Sequence, residues 1–135
     1  MSKLQAKSDF NIQAAELLIK NNLFAPSIHC SYYSCFQLMK FTMNDFFGIE
    51  YDNLSQTIAL NKTNAHTYII KYISHEIRKN FGREDYRVFN NKIKDLKTFR
   101  EQSDYDDIEV SIDEGNKAYK YANDILSFLK RNFHV

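Results

Sequence analysis

The sequence predicts an all-α protein, an antiparallel up-and-down bundle of about five helices forming one domain over residues 1–135. Three observations carry this. Apolar residues recur at helical spacing along most of the chain. Three Gly and one Pro leave little turn material for a many-stranded β fold. Start and stop residues bracket the periodic runs. A chain of 135 residues can bury roughly two thirds of its unfolded surface, and 11 Phe and 9 Tyr supply bulk for a core.

The first helix is predicted from Ser8, an N-cap with Asp9 beside it, to about Asn22, with Phe10, Ala14, Leu17 and Leu18 inward. Pro26 opens the second, where its missing N–H has no intrahelical partner to lose. Along it Ile28, Tyr32, Cys35, Phe36, Met39, Met43, Phe46 and Phe47 form one stripe, stopped by Gly48. Tyr33, Leu38 and Phe41 widen that surface, which makes this helix central. Residues 48–64 read as a polar connection with room for a short helical turn around Leu54 to Leu60. The third helix spans Asn64 to Phe81, with Ile69, Ile70, Ile73 and Ile77 inward and Gly82 as terminator. The fourth runs from Arg83 to Ser103. The fifth starts at SIDE, where Ser111 and Glu114 make a capping box. Its face is Ala118, Ala122, Ile125, Leu126, Leu129 and Phe133.

No run approaches the ~18 apolar residues of a membrane span. The first residues, MSKLQAKSDF, lack the apolar stretch of a signal peptide, so a cytoplasmic location is expected. Cys30 and Cys35 point ~140° apart on one helix and are expected to stay reduced. His66 and His75 fall on opposite faces of a shared helix, while His29 and His134 have no clustered partners. Neither a metal site nor a cofactor is expected.

The net charge is +1, unevenly distributed. Residues 71–100 hold nine Lys/Arg against four acids, and residues 101–115 hold seven acids and no Lys/Arg. Arg100 stands at that reversal. It continues the inward stripe Tyr86, Phe89, Ile93 and Leu96, where an apolar residue is due. Arg83, Arg87, Lys94 and Lys97 form a basic flank beside it. Two accounts fit. In one, Arg100 is structural: favoured by the helix dipole, snorkelling to water and paired with Asp104 at i,i+4. In the other, its guanidinium grips a phosphate or carboxylate, oriented by Asp104 and bordered by Tyr105.

Two motifs bear on that choice. SYYSCF (31–36) resembles the SYYAMF-like stretch of the HEPN domain, notably of its small stand-alone prokaryotic members. FREQSDY (99–105) looks like that group's Leu/Phe-Arg-spacer-Ala-Asp-Tyr signature, and His66 opening the third helix fits the order of the pieces. The resemblance extends from about Phe10 to Leu129. It implies a helical bundle, a homodimer, and a minimal nucleotidyltransferase partner in a toxin–antitoxin or two-component pair. Many members are metal-independent ribonucleases using an Arg followed four to six residues later by a His. Arg100 matches that arginine, but Tyr105, Asp106 and Asp107 occupy the three places open to the histidine. His29 and Cys30 stand where a basic residue commonly precedes the paired tyrosines. The expectation is therefore a non-catalytic protein that binds a nucleotide, RNA or a partner protein through Arg100, Asp104, Tyr105 and Tyr32 or Tyr33. The alternatives are a divergent ribonuclease acting through Arg100 and a purely protein-binding subunit.

Overall fold

The computed structural model describes residues 2–135. They form six helices: α1 (Lys3–Lys20), α2 (Phe24–Asp45), α3 (Tyr51–Leu60), α4 (Ala65–Phe81), α5 (Arg83–Tyr105) and α6 (Ile112–Phe133). Among the described residues no helix is long and apolar enough to cross a membrane.

Side-chain pairs establish the directions. α5 and α6 run antiparallel, since Phe89 meets Phe128, Lys92 meets Asp124 and Phe99 meets Tyr121. α1 and α6 are antiparallel too, tied by Gln5 to the Val135 carbonyl and by Asp9 to Lys130. α2 and α4 run the same way: Phe36 stacks on His66 at the start of α4, and Phe47, just past α2, meets Tyr72 further along. The segment between them must therefore carry the chain back along α2 to the level of Tyr32 and Phe36. This is why the predicted connection contains a full helix, α3, of 10 residues, spanning ~15 Å. Leu54 anchors it in the core.

α2 is central, as its wide apolar surface implied, and packs against α1, α4, α5 and α6. The inward residues expected on α4 and α6 are all buried. Ser111 caps α6 by accepting from the Glu114 N–H, and Asn64 caps α4 the same way through Thr67. Gly82, with φ of +99°, makes the sharp turn between α4 and α5, a conformation other residues adopt only at a cost.

α1 departs from expectation. It starts one and a half turns earlier, capped by Ser2, whose hydroxyl accepts from the Gln5 N–H. Ser8 is an interior residue: its hydroxyl donates to the Ser34 carbonyl while the Ser34 hydroxyl donates to the Ser8 carbonyl, each at 2.7 Å. Two small polar residues satisfying each other let the backbones of α1 and α2 approach closely. The buried face is accordingly Ser8 and Ala15 with Leu4 and Ile12 at its margin, whereas Phe10 and Leu17 face outward at 66% and 62% exposure. At the far end of α2 the stripe also ends early. The helix stops at Asp45, Phe46 is half exposed and Phe47 half buried. α5 continues to Tyr105, so Asp104 and Tyr105 lie on the helix with Arg100.

Candidate functional site

The Arg100 site lies where the first half of α2, the start of α4 and the last turns of α5 converge. Arg100 continues the stripe Phe89, Ile93 and Leu96, all buried, and is itself only 6% exposed. Its guanidinium is surrounded chiefly by rings, 5.0 Å from the centre of Tyr32, 5.6 Å from Tyr33 and 5.9 Å from Tyr105. Ring quadrupoles attract a cation at these separations.

Its carboxylate partners are loose. Asp104 Oδ2 stands 3.8 Å from Nη1 and Glu101 Oε1 4.0 Å from Nη2, both beyond hydrogen-bond range. Nε is buried and has no hydrogen-bond partner among the described residues. Asp104 is instead committed to His29, whose Nδ1 lies 2.8 Å from the same Oδ2. The structural account expected Asp104 to neutralise Arg100; the carboxylate is shared between two helices and bonded to the imidazole. Burying a cation without a hydrogen-bonded counter-charge costs several kcal/mol, which tyrosine faces offset only in part.

Beside Arg100 opens a groove of about 640 Å³, with Tyr33, His66, Glu101, Gln102, Tyr105 and Asp106 along its walls. His66 is wedged there: its ring stacks on Phe36 at 4.3 Å, and its Nδ1 lies 2.7 Å from the Tyr32 hydroxyl. Burial, then the positive fields of Arg100 and Lys97, lowers the His66 pKa, with Glu101 acting the other way. Burial raises the Tyr32 pKa despite the opposing pull of Arg100, so the phenol stays protonated at neutral pH. Cys30, half buried, has its pKa raised by burial and by Asp104, and Cys35 is fully buried; neither is disulfide-bonded.

The fold thus brings Arg100, Asp104, Tyr105, Tyr32 and Tyr33 together. Their ranks differ. Tyr32 is completely buried and touches Arg100 and His66, while Tyr105 is 76% exposed on the groove wall. The basic flank divides. Lys94 and Lys97 border the α4–α5 cleft. Arg83 and Arg87 lie at the opposite end of α5, and Arg87 is paired with Glu84 at 2.6 Å. The site also takes in two histidines that the sequence sets outside it, His29, expected to have no clustered partner, and His66, read as the residue opening the third helix. His29 stands on the same face as Tyr33 at i+4, a signal present in the sequence, and their rings lie 4.7 Å apart. His66 comes from a distant helix, and only α2–α4 packing delivers it.

Among curated proteins none matches the chain. The model of the HEPN domain family matches residues 1–132. With its helical bundle and its Arg100–Tyr105 segment at the bundle end, this chain belongs to the HEPN family.

Proposed function

We propose that the Arg100 groove binds the phosphate of RNA or of a nucleotide, with the protein acting as a binding component. One observation carries this: a buried guanidinium, incompletely satisfied by its own protein, borders an open groove. A phosphate oxygen supplies the charge and the hydrogen-bond acceptors that Asp104 and Glu101 do not. Tyr105 and Tyr33 offer faces on which a base stacks. Homodimerisation, pairing with a minimal nucleotidyltransferase and a toxin–antitoxin role are extensions of this reading that family membership suggests.

Binding of labelled single-stranded RNA, titrated between low and moderate salt, tests it. Affinity is expected to fall steeply with salt and to drop at least ~10-fold in Arg100→Met, the size of one lost charge-assisted contact. Salt-independent binding, or no binding, overturns it. Co-purification of a nucleotidyltransferase without RNA affinity would favour the protein-binding alternative.

A second reading rests on His66. Its imidazole borders the groove beside Arg100, and its lowered pKa keeps it neutral at pH 7, able to accept a proton from a ribose hydroxyl. Tyr32 holds the ring in place through Nδ1. It would fill, from another helix, the role of the histidine absent after Arg100. Cleavage of RNA in the presence of chelator, lost in both Arg100→Ala and His66→Ala, would establish the divergent ribonuclease. No cleavage by the wild type excludes it.

A further inference from the structure

A second basic groove runs along the cleft between α4 and α5. The antiparallel helices place His66 beside Arg100 at one end and Arg78 over the Tyr86 ring, 5.5 Å away, at the other, with Lys71, Ser74, Lys94 and Lys97 lining the cleft between. From Arg100 to Tyr86 the cleft extends ~21 Å along α5. Its middle is an open volume of about 370 Å³, walled by Lys71, Ser74, His75, Tyr86, Lys94 and Lys97.

Three features distinguish this cleft from an ordinary charged helix face. Among the described residues, Lys71 and Lys94 have no carboxylate in ion-pair range, and only Lys97 is partly neutralised, by Glu101 at 3.4 Å. The Ser74 hydroxyl in its wall is buried, 2% exposed for the residue, and has no hydrogen-bond partner. An adjoining hollow extends the basic surface past Lys71 and His75, walled by half-buried Tyr68 and Tyr72, whose rings stack on each other at 6.4 Å. Unpaired cations at intervals along an open cleft are how proteins track a single strand, each lysine meeting a successive phosphate.

We infer that the α4–α5 cleft is a track for single-stranded RNA, continuous with the Arg100 groove, so that the strand gripped at Arg100 runs on past Lys97, Lys71 and Lys94. The inference rests on the proposed phosphate binding at Arg100 and adds to it a length and a direction. Affinity must then grow with strand length, because each added nucleotide meets a further cation.

Fluorescence anisotropy with labelled oligouridylates of two and ten nucleotides tests this on the full chain. The wild type is expected to bind the longer strand at least ~10-fold more tightly, and Lys71→Gln/Lys94→Gln to abolish that advantage while leaving dinucleotide affinity unchanged. Its slope of log affinity against log salt should shrink by about 1.4, two released counterions on a single strand. Equal wild-type affinity for both lengths overturns the track while leaving the Arg100 site standing. So does undiminished binding of the longer strand by the double variant. Failure to bind either length overturns both. Polyglutamate of matched charge binding as tightly as the longer RNA would also overturn the track, assigning the cleft to an acidic protein.

Discussion

The two ends of the bundle each hold an aromatic cluster, and the clusters differ in kind. At one end Phe133, from the last turn of α6, meets Phe46 at 5.0 Å and Phe47 and Phe81 at 5.6 Å. Every group there is hydrocarbon, and edge-to-face packing adds to the burial of apolar area. At the other end, ~22 Å away along α2, Tyr32, Tyr33 and Phe36 make a similar set of ring contacts around an imidazole and a guanidinium. The first cluster leaves no polar atom unpaired among the described residues, although Phe46 and Phe81 keep part of their rings exposed. The second encloses polar atoms whose partners are incomplete. Aromatic packing alone therefore does not mark a site; unsatisfied polar chemistry within it does.

The comparison can be broken by substitution at each end. The largest effect is expected for Phe133→Ala, which empties the hydrocarbon cluster. Stability in urea should fall by about 3–5 kcal/mol, with RNA affinity per folded molecule unchanged. Tyr32→Phe comes next. It removes the hydroxyl paired with half-buried His66 and should cost about 0.5–1.5 kcal/mol, the usual net worth of one hydrogen bond. A loss below a few tenths of a kcal/mol would show that water already satisfies His66.

Arg100→Met should shift stability by less than about 1 kcal/mol, or raise it, because an apolar side chain replaces an incompletely paired buried cation. RNA affinity should nonetheless fall by at least ~10-fold. A loss of several kcal/mol would instead make Arg100 a structural residue and remove the basis of the proposed site.

The smallest effect concerns pH. His66 has a folded-state pKa below the ordinary 6.5, set first by burial and then by Arg100. The folded protein binds this proton less readily than the unfolded chain, so the neutral ring's contribution is present above pH 6.5 and lost as pH falls through the lowered value. Urea midpoints measured from pH 7.5 down to 5 should show this decline, shallower in His66→Gln. Identical profiles for the two proteins would show that other groups set the acid limb.

Much of the fold could be read from residue order because helical periodicity and capping are local. Ile69, Ile70, Ile73 and Ile77 on α4, the Ala118 to Phe133 face of α6, and the Ser111 cap all depend on residues within a few turns. α1 misled for a physical reason: hydrophobicity favours Phe10 and Leu17, but its packed face is decided by the reciprocal Ser8–Ser34 bonds, which no single helix reveals. α3 was understated because one buried leucine is a weak periodic signal, and its necessity comes from the parallel course of α2 and α4. The charge flank was overextended, since Arg83 and Arg87 share a helix with Arg100 but not an end of it.

Sequence by itself determined the all-helical bundle, the family and the placing of a charged side chain on an inward stripe. Those follow from spacing along the chain, which covalent geometry converts directly into helix faces. Only the tertiary structure decided what that charge meets: three tyrosine faces, an aspartate already held by His29, and His66 from a helix 34 residues beyond Tyr32. Such contacts arise when helices cross, and the pattern within any one helix carries no record of the angle or register at which its neighbour arrives.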